Sequence, residues 1–564
     1  MFCLQVLGSV AVKALVAVAL VGLVLVGTSA GRGGLRAAPN PIRAENALPG
    51  STGWSGMQAP AHAIEGYTSA VSVLPGDRLE LHVSTAPAER YRVEIYRLGW
   101  YAGLGGRLVA CLPACSGDEQ GVARPVPAAA PDGYLDAGWP VTDSMTVPAG
   151  WVSGYYLAAL RLTTGPSAGR GGWVPVIVRA PATAPPSAVL VQASVNTWQA
   201  YNRWGGWSLY RDPAGATCHQ SCTHVSFNRP YDPSTQNFWD YELPLVHFLE
   251  ESGYDVSYST DVDTDRDPAE LLRHRLVVVA GHDEYWTSRV RDAFDTARDE
   301  GTNLMFTGAN TGYWQMRYAN GRRAIVEYRK AAADPQPDPA LKTVTFRSLS
   351  RPECALEGVQ FQRLGGEGIG GPFDYAVAAP ADPWFRGTGL TASSVLPGAV
   401  GYEWDSVVPG CATPPLTVLF HYAGSVPADA VRFTAPSGAR VFSAGSLDFA
   451  KGLNDIRGAG SPGLEHFMRN ALADLTRPAA PFWVRAQRTK RGVVVRVGRG
   501  ADPRILLVRV VREGARRYGS RLVCSGLSPT CLDRNEPRGR ALRYAVVLRD
   551  RWASSPPTLS APLP

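Results

Sequence analysis

The sequence predicts a multidomain protein, α/β at its centre and all-β on both flanks. Three observations carry this reading. Short alternating strands punctuated by Gly and Pro run from 65 to 180, a strand–helix rhythm occupies 187 to 477, and strands without helices return from 478 to 560. With 564 residues and 45% apolar content, the chain can build several cores and is too apolar for general disorder.

The elements follow in order. Lys13 and the 17-residue run ALVAVALVGLVLVGTSA, ending in small residues, read as a secretory signal over 1–30; retained, the same segment would be a membrane anchor. Residues 31–64, rich in Gly, Pro, Ala and Ser, read as a flexible lead. SAVSVLPGDRLELHVST, RYRVEIYRLGW, GYYLAALRLTT and GGWVPVIVRAP then predict an N-terminal antiparallel β-sandwich over 65–180. PATAPPSA (181–188) is a stiff linker. In the centre, AVLVQAS, LVVVAG and NLMFTG are strands, and NFWDYELPLVHFLEESG, DPAELLRHR and SRVRDAFDTARDEG carry apolar residues at helical spacing. A proline-rich stretch, about 330–435, reads as a β-containing excursion before VFSAGS and the closing helix PGLEHFMRNALADLT. DVDTDRD (261–267) resembles a calcium loop but lacks its glycine and terminal glutamate, and reads as a solvated turn.

Without the signal, eight cysteines remain. Their spacing suggests disulfides 111/115, 218/222 and 524/531, with 354/411 as a longer link, in an oxidising compartment outside the cytoplasm. CHQSCTH at 218–224 also admits zinc. A net charge of +7, dispersed and without a nucleic-acid module, argues against polynucleotide binding.

The chemistry concentrates in VVVAGHDEYW (277–286), where an apolar strand breaks at glycine and delivers His282, Asp283 and Glu284. Open α/β sheets bind ligands at the C-terminal ends of their strands. TGANTGYW and VFSAGSLDF end two further strands and suggest one pocket fed by three. No Cys or Ser stands at either elbow, AGHDE or TGANT, which argues against a covalent triad.

NTWQAYNRWGGWSLY, VSFNRPYDP, NFWDYELPLVHFLEESGYDVSYSTDVD, GHDEYWT and TGANTGYW together resemble the large-subunit family of N,N-dimethylformamidase over roughly 65–475. The resemblance implies a glutamine-amidotransferase-like core and a mononuclear Fe(III) site, held by two tyrosines and a glutamate, that cleaves an amide into a carboxylic acid and an amine. It places the metal ligands on Tyr201, Tyr231 and Glu284, with Tyr241 in reserve for Tyr231. It places the catalytic groups on His282, Asn310 and Glu403. The implied substrate is a small amide, and a homo-oligomer or small partner subunit is compatible with the chain.

Period two along a strand would turn His282 and Glu284 to the same side. Phenolate and carboxylate oxygens suit a hard trivalent cation, whose charge favours phenolate at neutral pH. Each residue also has an ordinary role. Tyr201 stands among aromatics at 198, 204 and 207 that would suit packing or a carbohydrate platform. Tyr231 lies in a turn between Pro230 and Asp232, and Asn310 in a glycine-containing turn. Two alternatives follow: a secreted protein binding polysaccharide or the cell envelope through that aromatic stripe, or a glycoside or polymer hydrolase pairing Glu284 with Glu403.

Overall fold

The computed structural model describes residues 40–218, 221–232, 237–362, 369–411, 413–453, 460–500, 502–513, 521–537 and 541–563. The expected signal over 1–30 lies outside them. Strand exceeds helix, 35% to 20%, so the molecule is multidomain and strand-rich.

The lead expected to be flexible to residue 64 is corrected by the structure. Pro41–Asn46 is a helix capped by the Asn40 side chain, which accepts from the Ile42 and Arg43 amides. Asn46 bonds Glu250 at 2.7 Å and Arg43 bonds the Gly253 carbonyl at 2.9 Å, so polar side chains dock a segment whose composition reads as a linker.

The N-terminal strands form a three-stranded and a six-stranded sheet. Their inward positions, including Leu79, Leu81, Val93, Ile95, Leu160 and Val176, alternate with outward ones and pack as one apolar layer.

The central sheet has nine strands: β1 (Val189–Ala193), β2 (Val256–Thr260), β3 (Leu276–Val279), β4 (Asn303–Phe306), β5 (Ile369–Val377), β6 (Val395–Glu403), β7 (Leu416–Tyr422), β8 (Ala428–Thr434) and β9 (Arg440–Ser443). Their spatial order is β2-β1-β3-β4-β9-β8-β7-β5-β6. The first five are parallel and buried, and the inner strands β1, β3 and β4 accordingly read as mostly apolar runs. The segment 330–435 is less of an excursion than expected. It supplies β5 to β8, which extend the same sheet in antiparallel order.

Helix α1 (Val195–Tyr201) leaves β1 directly. Helices α2 (Leu243–Glu251) and α4 (Pro462–Leu475) cover one face of the sheet, and α3 (Ser288–Asp299) the other. In α3 the Thr287 hydroxyl caps the Val290 amide, and Val290, Ala293, Phe294 and Ala297 recur at helical spacing to form the buried stripe. Phe294 stacks on Trp286 at 4.6 Å; truncation to alanine would cost about 3–5 kcal/mol. The expected solvated turn at 261–267 is instead the short helix Asp261–Arg266, with Thr260 and Asp263 forming a capping box and Asp261 buried.

The C-terminal strands form a three-stranded and a four-stranded sheet around a Val-rich core. Arg275, beside β3, ties this layer to the centre through Asp502 and Asp550. Four disulfides join Cys111–Cys115, Cys218–Cys222, Cys354–Cys411 and Cys524–Cys531, the pairing the spacing suggests. Cys218 and Cys222 are therefore not a zinc pair, and His219 of that motif lies outside the described residues. No described helix is long and apolar enough to cross a membrane.

Candidate functional site

Two strand ends meet main chain to main chain. Beyond β3 the chain turns at Gly281 (φ 60°), where a Cβ would stand 2.8 Å from that of Tyr241. Beyond β4, a Cβ on Gly308 would stand 2.0 Å from the Gly281 carbonyl oxygen. Only glycine allows this approach, and it brings His282, Glu284 and Asn310 to one place. Asn310 itself is left-handed (φ 54°), and its amide is held by the Asp405 carboxylate at 3.0 Å.

Tyr201, the last residue of α1, donates to Glu284 Oε2 at 2.9 Å. The other tyrosine on Glu284 is Tyr210, whose hydroxyl lies 2.9 Å from both carboxylate oxygens. The chain folds back to bring it there. The Leu209 amide donates to the Ala200 carbonyl at 3.0 Å, and Cys218 N donates to the Tyr210 carbonyl at 3.2 Å beside the Cys218–Cys222 disulfide. Fully buried Arg229 braces the loop from inside, donating to the carbonyls of Trp207 (2.8 Å), Asn202 (2.9 Å) and Gln199 (3.2 Å).

Tyr231, expected in that place, is elsewhere. Its ring stacks on Trp173 at 5.7 Å, its hydroxyl bonds the Gln199 side chain, and it lines a second cleft. The Pro230 turn points it toward the N-terminal sandwich, while its neighbour Arg229 serves the tyrosine loop. Tyr241, the reserve, lies under Gly281 with Lys451 over its ring. The motif NTWQAYNRWGGWSLY contains Tyr210, but its return to Tyr201 depends on Arg229 and a disulfide, which are tertiary.

His282 Nε2 lies 3.3 Å from Glu403 Oε2 and 3.6 Å from Glu284 Oε2, charge contacts without aligned hydrogen bonds. Asn310 Nδ2 donates to Glu403 Oε2 at 2.9 Å, and its Oδ1 is buried without a partner among the described residues. Glu284 lines the cleft although 282–284 is not strand, and buried His282 lies behind it, outside the lining; the Thr197 hydroxyl fixes the turn by accepting from the Glu284 amide at 2.9 Å. Asp283 turns away to accept from Gln192 at 2.7 Å. The third expected strand end, VFSAGSLDF, does not line the cleft. Its Ser446 hydroxyl bonds Gly401 and so buttresses β6, which carries Glu403.

Burial and mutual charge shift every titratable group of this cluster. Burial pushes Glu284 up to about 7 against the attraction of His282. Burial, then the Glu284 charge, holds Tyr201 and Tyr210 well above their ordinary values. For His282, burial acts downward, but Glu403 and then Glu284 outweigh it and raise the imidazole. Arg329 donates to Tyr285, whose hydroxyl donates to Tyr210, so a chain of donors ends on Glu284. Two phenol oxygens and a carboxyl group meeting at one point are the oxygen donor types that suit a hard cation. Among the described residues no group of three His, Cys, Asp or Glu could hold a metal; Glu284 instead meets two tyrosine hydroxyls. Above it opens a cleft of about 640 Å³.

The sequence model of the N,N-dimethylformamidase beta subunit-like family, C-terminal part, matches residues 92–463, well over half of the chain. This chain belongs to that family. The N,N-dimethylformamidase beta subunits of an Alcaligenes species and of Paracoccus aminophilus are 32% and 31% identical to it over 90 residues, 16% of this chain and 12% of each relative. The match thus spans a small part of those dimethylformamidase subunits. Among solved structures, the Clostridium perfringens spore cortex lytic enzyme SleM aligns with this dimethylformamidase-like chain at 11% identity and a TM-score of 0.13, covering 15% of this chain and 28% of that one, too little to bear on fold.

Proposed function

We propose that this protein hydrolyses the C–N bond of a carboxamide, giving a carboxylic acid and an amine, at a mononuclear Fe(III) held by Tyr201, Tyr210 and Glu284. The observation that carries the reading is the convergence of three oxygen-bearing side chains at 2.9 Å on the cleft floor of a family member. We read the parallel half of the sheet as a glutamine-amidotransferase-like core with this site at its strand ends, and the four disulfides as support for export.

Iron held by Tyr201, Tyr210 and Glu284 would supply Lewis acidity toward an amide carbonyl. The chain supplies the proton traffic. Glu403, held by Asn310, faces the cleft and takes a proton from the attacking water. His282, kept as imidazolium between two carboxylates, gives a proton to the nitrogen as the C–N bond breaks, and Glu403 returns one to the imidazole. The buried Asn310 Oδ1 accepts from the substrate N–H or the water.

The polysaccharide alternative loses its platform: Trp198 and Trp204 are 2% and 3% exposed and serve as packing. Paired-carboxylate hydrolysis needs Glu284 and Glu403 to flank a scissile bond, whereas the His282 imidazole spans the gap between them.

The test is metal analysis of the full chain after iron-replete expression and exhaustive buffer exchange, followed by an amine-release screen. About one iron per chain and release from at least one amide are expected; absence of stoichiometric metal would sink the reading.

A further inference from the structure

The rim of the cleft differs in charge from its floor. Arg203, Arg211, Arg329 and Lys330 all line it, and the carboxylates that line it, Glu284 and Glu403, are both at the floor. Arg203, Arg211 and Lys330 are exposed, and among the described residues none makes an ion pair. Arg211 is not loose: its guanidinium donates to the Gly215 carbonyl at 3.0 Å and the Thr217 hydroxyl at 3.3 Å, which presents the group at the mouth.

Arg329 is set deeper. Its guanidinium carbon lies 5.0 Å from the Tyr210 ring centre and 5.5 Å from that of Trp314, with one nitrogen on Tyr285. Its Nε and Nη1 have no hydrogen-bond partner among the described residues. An arginine held between two rings keeps its charge and its orientation.

The charges do not cancel within the cleft. On the floor the carboxyl groups of Glu284 and Glu403 have His282 between them, whereas the exposed charged residues lining the rim are all cations. Arg203, Arg211 and Lys330 remain without an ion-pair partner among the described residues, whereas Arg329 faces the buried Glu327. A small neutral amide would use neither them nor most of the 640 Å³. The walls between floor and rim include the rings of Tyr313, Trp314 and Phe361, which suit an apolar group of matching size.

We infer that the substrate of this site is an amide carrying a carboxylate, of the N-acyl amino acid class. The reacting carbonyl would lie on the floor, the side chain against the aromatic wall, and the carboxylate among Arg203, Arg211 and Lys330. The inference rests on the amidase reading for the reacting end alone; the anion preference is a property of the rim.

Binding is therefore the test, because it reads the rim without turnover. N-formylphenylalanine and its uncharged methyl ester are titrated calorimetrically into the full chain at low ionic strength. The acid should bind at least tenfold more tightly, and the preference should fall below about threefold in the triple variant Arg203→Gln, Arg211→Gln, Lys330→Gln, whose exposed changes leave the cores intact. Equal affinity, no binding of either compound, or a preference unchanged in the triple variant would overturn the inference. Retained preference without hydrolysis of the acid by iron-loaded protein would instead count against the amidase reading and leave the anion site standing.

Discussion

The Tyr210 hydroxyl lies 2.9 Å from each carboxylate oxygen of Glu284, a residue 74 positions further along the chain. Tyr231, on which the family resemblance places the second ligand, instead packs on Trp173 of the N-terminal strands. The pair of tyrosines on Glu284 is thus Tyr201 and Tyr210.

Exchanging hydroxyls separates these roles. Tyr210→Phe should lower iron content to under about a fifth of stoichiometry and abolish the visible phenolate-to-iron absorption. Tyr231→Phe should retain the metal and lose about 1 kcal/mol of stability with its Gln199 hydrogen bond. Elemental analysis and the absorption spectrum distinguish the two.

Arg229 should behave as a positioning residue. Arg229→Lys keeps the charge but cannot reach the carbonyls of Gln199, Asn202 and Trp207 with one rigid fork. A stability loss of about 2–4 kcal/mol is expected, with faster amide exchange over 202–210 than over β1. Equal exchange in variant and parent would contradict this role.

Stability should depend on pH through Glu242. Burial, against hydrogen bonds from Tyr155 and Trp198, pushes its carboxyl up to about 8. The folded state then binds a proton that the unfolded chain releases near its ordinary value, so stability from this group is full below the unfolded value and falls as pH rises toward 8. Urea midpoints should decline across that window, and Glu242→Gln should flatten the decline, its amide oxygen accepting from Trp198 and its NH2 donating to the Tyr155 oxygen. An identical slope in the variant would rule Glu242 out as its source.

Arg97 and Glu250 form a bidentate pair at 2.8 and 2.9 Å with neither side chain exposed. Arg97→Met should cost about 3–5 kcal/mol, because it strands a buried carboxylate. Adding Glu250→Gln should recover part of the loss, as a double-mutant cycle would show.

Much of the layer order is readable because each layer has its own period. Alternation marks Leu79, Leu81 and Val83, and helical spacing marks Val290, Phe294 and Ala297. The antiparallel half of the central sheet is less legible, because β5 and β6 contain glycine, proline and shifts of register. At the site, local spacing is informative for His282 and Glu284, which share one turn. The second tyrosine depends on contacts made far away in sequence. VSFNRPYDP bears on the site through Arg229, whose guanidinium reaches the loop, rather than through Tyr231, whose ring reaches the other domain.

The two buried ionic ties, Arg97 to Glu250 and Arg275 to Asp502 and Asp550, make the three layers hostage to one another. Excising the central layer for biochemistry would strip Glu250 of Arg97 and Arg275 of both its aspartates, so an isolated central fragment is a poor reporter of the whole chain. Removing either flank therefore exposes a charge that the remaining layers have no partner for, and stability belongs to the body from Ala38 to Pro564 taken together.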